Sequence, residues 1–178
     1  MLNNNEQWFA MRATYKREML AKDYLTSKGF EVFIPMKTVI KVVKGIKRKL
    51  SVPAINALIF VYAQKEMLQQ AKWGMEYLQY ITRKEDGKNV PIVVPQRQME
   101  QFIQVVQDDT IEKTFFASTE VDMALGTKVR VHGGAFDGME GILMKQKGKR
   151  NKQFFLEVEG VLAVNPKLEN YDLLEVVK

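Results

Sequence analysis

Gly126-Thr127-Lys128-Val129-Arg130-Val131-His132-Gly133-Gly134-Ala135-Phe136-Asp137-Gly138-Met139-Glu140-Gly141-Ile142-Leu143 decides how this chain is divided. Lys128 to His132 alternate polar and apolar residues, the period of a strand with one buried face. Gly133, Gly134 and Gly138 crowd the next six positions, where backbone needs left-handed φ or close approach to another segment. A second strand starts at Gly141-Ile142-Leu143. Gly133 to Gly138 also fits G-x-x-x-x-G, but Met139-Glu140 follow where a phosphate-cradling loop needs Lys and Ser/Thr. The stretch therefore predicts a tight β-hairpin and not a nucleotide site.

Toward the carboxy terminus the strand pattern continues. Lys128–His132, Gly141–Lys147, Gln153–Val158, Val161–Val164 and Asp172–Val177 are predicted strands, with turns at residues 148–152 and Glu159-Gly160. Five short strands in so few residues predict a small all-β barrel over residues 124–178. Toward the amino terminus, residues 108–125 show no clean period, and 108–123 read as a linker. Residues 1–107 then form a first domain.

That domain alternates strands and helices. Trp8 to Ala13 reads as a buried strand, Thr14 as a helix cap, and Tyr15 to Lys28 as a helix ended by Gly29. Tyr15/Met19, Leu20/Tyr24 and Ala21/Leu25 give the helix a broad apolar face. Phe30 to Ile34 is a strand stopped by Pro35. Thr38–Val43 and Ile46–Val52 flank Lys44-Gly45, a two-residue hairpin signal. Pro53 to Tyr62 leads into the most apolar strand of the chain, whose lack of alternation predicts burial on both faces. A helix over Gln64–Met75, a strand over Leu78–Thr82, a turn at Glu85–Lys88, an extended Pro91–Pro95 and a helix over Gln96–Gln107 follow. The order predicts an α+β domain with a mainly antiparallel sheet.

The net charge of +6 is unevenly spread over the 178 residues. Residues 1–51 hold 11 Lys/Arg against 4 Asp/Glu, whereas residues 52–125 hold 7 against 10 and residues 126–178 hold 9 against 7. Much of the excess lies on the hairpin, at Lys37, Lys41, Lys44, Lys47, Arg48 and Lys49, which is poor in core residues and is expected to project from the body. Such a concentration suits a polyanion-facing surface. The absence of Cys excludes disulfides and thiolate metal ligands. Met1 to Gln7 have neither the basic region nor the apolar core of a targeting peptide, and no run approaches the length of a membrane span, so a cytoplasmic protein without membrane contact is expected. The single His, His132, ends a barrel strand. No His/Asp/Glu cluster has metal-ligand spacing, Glu157 and Glu159 lack a second carboxylate pair, and no Ser lies in G-x-S-x-G. The residues thus offer no catalytic constellation, no metal site and no cofactor site, and a binding protein is expected rather than an enzyme.

The glycine-rich hairpin resembles a KOW motif, the opening of a small SH3-like barrel. The chain as a whole resembles the NusG family of transcription elongation factors, in which an NGN domain, a linker and a KOW barrel follow in that order. Trp8-Phe9 with Arg12 resembles the first NGN strand. Pro53, Phe60 and Val61 match the family's Pro-Leu-Phe-Pro-(Gly/Asn)-Tyr-Val-Phe-Val strand, while Asn56 stands where proline is usual and Leu58 where tyrosine is usual. Pro91-Ile92-Val93-Val94-Pro95 resembles Pro-x-Ile-Val-Pro before the last NGN helix.

The resemblance implies an NGN domain that grips the clamp helices of RNA polymerase through an apolar patch and suppresses pausing or termination. Carried onto this sequence, the patch comprises Leu58, Phe60 and Tyr80; a clamp contact needs exposed anchors, and Leu58 and Phe60, two apart on a strand, should be either exposed together as such anchors or buried together as core. The hairpin from Lys37 to Lys49 would lie on the DNA side near the transcription bubble, extended by Arg12, Lys16 and Arg17, and would touch phosphates in a salt-dependent, sequence-independent way. The long basic hairpin is similar to that of the specialised RfaH/UpxY-like branch. The barrel's implied partners are a small-subunit ribosomal protein or Rho, and a monomer is expected. The alternative is a ribosome- or RNA-associated KOW protein with no polymerase role. Val129, Val131, Ile142, Val158, Val161 and Val164 are β-branched, which favours a barrel over a helical hairpin in this segment.

Overall fold

The computed structural model describes residues 5–146, 148–168 and 173–178. It divides into two compact units, Met1–Gln96 and Arg97–Lys178.

In the first unit β1 (Glu6–Ala13) and β5 (Leu58–Gln64) pair antiparallel from Glu6↔Gln64 to Arg12↔Leu58. β2 (Glu31–Phe33) extends the sheet beyond β5. β6 (Leu78–Tyr80) and β9 (Val93–Val94) pair with opposite ends of β1, so the order is β2-β5-β1-β6 with β9 alongside β1. Leu58 to Val61 are all buried, as the unbroken apolar run predicts. α1 (Glu18–Ser27) and α2 (Lys65–Ala71) pack on one face. Ala21 and Leu25 from α1 and Leu68 from α2 share a core with Phe9, Met11 and Val61. Each large apolar side chain so buried contributes about 1.5–3 kcal/mol.

The helix predicted from Tyr15 starts later, at Glu18. Tyr15 and Lys16 take left-handed φ values of 60° and 55°. Thr14 does not cap the helix, because its hydroxyl and its N–H both donate to the Tyr77 carbonyl, at 3.3 and 2.9 Å. The predicted apolar face is half used: Ala21 and Leu25 are buried, while Tyr15, Met19, Leu20 and Tyr24 are exposed. Among the described residues Glu18 is the exception to hydrophobic burial, with 3% exposure. Its carboxylate accepts the backbone N–H of Ala57, whose φ of 64° is left-handed. Ala57 in turn accepts the Ala13 N–H at 2.8 Å. Glu18 therefore fixes the loop through which the chain enters β5.

α2 is shorter than predicted, ending before Gly74, whose φ is 84°. The predicted strand Leu78–Thr82 is interrupted at Ile81, whose N–H donates to Ala10 at 2.9 Å. Beyond it β7 (Thr82–Glu85) and β8 (Lys88–Pro91) form a hairpin around Asp86-Gly87. β3 (Met36–Val43) and β4 (Ile46–Pro53) form a separate two-stranded sheet. Lys44 and Gly45, with φ of 51° and 78°, supply its primed turn. Its root is tied by the Ala54 N–H donating to Pro35 at 2.7 Å.

The second unit starts at the head of α3 (Gln96–Gln107), whose bounds are those predicted and which buries Met99, Phe102, Val105 and Val106. The predicted limits at residues 107 and 124 differ from this division. The stretch 108–123, read as a linker, contains β10 (Lys113–Ala117). The physical reason is Phe115-Phe116: they pair with Val164 and Ala163, and Phe116 meets Phe155 edge-on at 5.7 Å. The five predicted strands are present as β11 (Thr127–Val131), β12 (Glu140–Lys145), β13 (Lys152–Val158), β14 (Leu162–Pro166) and β15 (Leu174–Val176). Their predicted ends Lys147 and Asp172 lie outside the described residues. All pairings are antiparallel, in the order β10-β14-β13-β12-β11-β15.

The glycines of the opening stretch separate by role. Gly133 has φ of 80° and donates its N–H to the Asp137 carboxylate at 2.6 Å, closing the turn. Gly141 serves close approach: a Cβ there would collide with the Phe154 ring and the Phe155 carbonyl oxygen. No helix among the described residues is long and apolar enough to cross a membrane. Gly141→Ala is expected to destabilise the protein by about 1–3 kcal/mol through overpacking, whereas Ala57→Gly should be neutral or stabilising by relieving a left-handed alanine. Urea unfolding midpoints of the two variants check this.

Candidate functional site

The hairpin gathers six of the predicted residues. Lys37, Lys41, Lys44, Lys47, Arg48 and Lys49 are all exposed. The register sorts them by face. Lys37, Lys41 and Arg48 share one face, Lys47 and Lys49 the other, and Lys44 sits at the turn. No acidic residue lies between Met36 and Pro53. The ribbon is also apolar in a way the sequence reading passed over. Ile40 and Val42 are each 67% exposed, and Ile46 is 58% exposed. The available signal was that neither alternation phase of β3 is polar throughout, so neither face could be a solvated face alone.

Arg12, Lys16 and Arg17 belong to β1 and the turn after it. Arg12 is exposed opposite Leu58 and Gln79, and with Gln79, Tyr80, Ile81 and Thr82 it lines an open cleft of about 240 Å³. The Arg17 guanidinium lies over the rings of Tyr77 and Tyr15, at 5.1 and 5.7 Å from their centroids. That stack holds Arg17 in place, and Lys16 beside it is exposed on left-handed backbone.

The predicted apolar patch is arranged differently. Leu58 and Phe60 share a face, but they are 3% and 0% exposed. This corrects the expectation of exposed anchors: Leu58 and Phe60 on one face and Ile59 and Val61 on the other are all buried, so neither face of β5 is free here. Tyr80 is half-buried. Its ring meets Phe9 edge-on at 5.6 Å, and the Lys72 ammonium lies 5.1 Å from its centroid. Burial, reinforced by Glu66, pushes the Tyr80 phenol above its ordinary range, so the hydroxyl stays neutral.

In the second unit His132 pairs with the Glu175 carboxylate at 2.6 Å on the surface. Glu157 and Glu159 do not form a working carboxylate pair. Glu157 is half-buried on β13, while Glu159 has left the strand with φ of 43°. Burial, then the neighbouring Glu159, push the Glu157 carboxyl upward. Among the described residues no group of His, Cys, Asp or Glu is placed to hold a metal ion.

An antiparallel sheet with two helices on one face and a basic two-stranded ribbon at its edge defines the α+β class of the first unit. A family model described as "Transcription termination factor nusG" matches residues 6–103, more than half of the chain, and the chain belongs to the NusG family. Among solved structures it is similar to NusG of Thermotoga maritima, solved to study domain interaction, at 14% identity over 97% of this chain and 98% of that one, with a TM-score of 0.43. It is also similar to the MjSpt4:Spt5 complex in conformation B, at 15% identity over 96% and 97% of the two chains, with a TM-score of 0.29. No curated protein matches. The family assignment rests on residues 6–103, and it does not separate the RfaH/UpxY-like branch from the rest.

Glu157 gives a pH prediction. Its carboxyl is raised in the folded state, so the charged form costs stability above the folded value, and the cost vanishes below the unfolded value near about pH 4. Glu157→Gln should therefore raise the melting temperature at pH 7 and leave it unchanged below about pH 4. Paired thermal melts at the two pH values decide it.

Proposed function

We propose that this protein is a transcription elongation factor whose first unit, an NGN domain, binds RNA polymerase at the clamp helices, and whose basic hairpin lies against DNA near the transcription bubble. The family match over residues 6–103 carries the reading. The hairpin supports the DNA side of it, because six exposed cations and no acid make a surface whose only complementary partner is a polyanion. Suppression of pausing or termination is the activity proposed.

For the polymerase side, Leu58 and Phe60 support the contact from within the sheet by shaping β5, and the surface offered is the Arg12–Tyr80 cleft beside them. Arg12 supplies a charged rim, a residue type that carries interface energy, while the Tyr80 ring lies on the opposite face of the sheet against Phe9 and Lys72 and backs the cleft through its main chain. Residues 124–178, within the second unit, are read as the KOW barrel, and the five strands described there support that reading. A small-subunit ribosomal protein or Rho is its proposed partner.

Pull-down with purified core RNA polymerase tests the assignment. The parent is expected to be retained, and Arg12→Glu is expected to weaken retention at least tenfold, the loss of about 1.4 kcal/mol or more. In transcription assays on a terminator template the parent should increase read-through, and replacing Lys41, Lys44, Lys47 and Arg48 with Gln should reduce that effect and flatten its salt dependence. Absence of polymerase retention by the parent would overturn the proposal.

A further inference from the structure

The segment read as a linker covers part of the second unit. β10 ends the sheet and pairs with β14 along its outer edge. Phe155, Glu157 and Ala163 lie on one face of that sheet, and Leu156, Leu162 and Val164 on the other. Phe116 joins the first face opposite Ala163, and Val121 and Met123 pack there too, against Met144, Phe155 and Ala163. Residues 113–125 therefore form a strap over two features at once, the backbone edge of β14 and an apolar platform beside it. The strap fits loosely. Leu162, Ala163 and Val164 of β14 are buried, whereas Phe115, Phe116 and Ala117 of β10 are half-buried. A cavity of about 380 Å³ lies where strap and sheet meet, lined by Ala117, Val121 and Met123 from the strap and by Glu157, Leu162 and Ala163 from the sheet. Packed protein interiors hold few voids larger than a water molecule. The strap also satisfies some of its own backbone: Glu120 accepts the Ala117 N–H at 2.6 Å, and Asp122 accepts the Ala124 N–H at 3.1 Å. These bonds survive if the strap lifts away.

We infer that residues 113–125 are a removable cover, and that the edge of β14 with its apolar platform takes an extended segment of another protein when the cover leaves. An open strand edge is a template for pairing with another chain, and proteins mask such edges with loops. Strand addition draws affinity from main-chain hydrogen bonds and selectivity from side-chain pockets. The register of β10 states what the guest must carry. Its residue in the Phe116 place meets Ala163 and the Phe155 ring, which calls for an aromatic side chain. Two residues further, on the same face, Ser118 shares the cavity with half-buried Glu157. A Lys or Arg in the Ser118 place would pair with that carboxylate. The expected guest is an extended aromatic-x-(Lys/Arg) segment running in the direction of β10. The strap's own Ser118 makes no such pair, so the strap is the weaker occupant. The inference concerns the second unit alone. It stands apart from the polymerase and DNA contacts proposed for the first unit and from the identity of the barrel's partner.

Hydrogen exchange of the full chain tests the cover. Amides bonded across the β10–β14 rungs should exchange about tenfold faster, or more, than amides bonded across the β13–β14 rungs, because local opening of the strap frees the first set alone. Equal protection of the two sets would overturn the inference. Fluorescence anisotropy tests the site beneath. The probes are a labelled synthetic peptide of residues 111–124 and the same peptide with Ser118→Lys. Both should bind the full chain carrying Phe116→Asp about tenfold more tightly than the parent, whose tethered strap competes at high effective concentration. The Ser118→Lys peptide should bind the more tightly of the two. Phe116 is half-buried, so the variant is expected to keep the protection of β13, read in the same exchange experiment. Equal binding to parent and variant would overturn the inference, and so would binding that persists when the peptide itself carries Phe116→Asp. Dimerisation of the parent through exchanged straps, read by sedimentation, would assign the edge to a second copy and overturn it as well.

Discussion

The first unit depends on the ladder between β1 and β5. Seven consecutive pairs, from Glu6↔Gln64 to Arg12↔Leu58, join segments about fifty residues apart in sequence. Everything between them must leave the sheet and return in register. α1 leaves from one end of β1 and packs on the sheet through Ala21 and Leu25. β2 then takes the outer edge of β5. The chain from Met36 to Pro53 does not join this sheet and pairs with itself. Glu18 closes the arrangement, because its carboxylate holds Ala57 in the left-handed conformation that aims the chain into β5. A buried polar side chain with a backbone partner is tolerable where an unpaired one is not.

Reading by period succeeded where burial follows period. β1, β5 and α3 stand where the apolar spacing places them, and the Lys44-Gly45 and Asp86-Gly87 turns take the left-handed φ that such dipeptides serve. It failed where a tertiary partner overrode a local signal. Thr14 is a good cap by type, but the Tyr77 carbonyl lies sixty-three residues away and claims its hydroxyl. Phe115-Phe116 sit among polar residues that read as a linker, and their partners on β14 are far along the chain. The basic residues of the site were legible because composition does not depend on contacts. The burial of Leu58 and Phe60 was legible in the unbroken apolar run, and the family pattern pulled the reading the other way.

The opening glycine stretch organises the second unit by two separate constraints. Its turn needs backbone of left-handed φ, and its second strand needs the absence of a side chain. Gly141 lets β12 lie against the Phe154 ring of β13, and Gly126 lets the chain pass the Ile142 side chain. A dense run of glycines invites a ligand-cradle reading. Here the approaching atoms belong to the protein itself, so the stretch fixes architecture and leaves recognition to other elements.

The hairpin is where the levels of organisation disagree. Its turn and strand propensities are sound, yet its faces bury little, its cations repel, and its aliphatic residues stay wet. Natural sequences concentrate such conflicts at functional sites. A ribbon meant only for solubility would carry both charge signs and few branched aliphatics. A ribbon meant only to coat phosphates would gain nothing from Val43 and Ile46. The combination suits a surface that is completed by something both anionic and locally apolar.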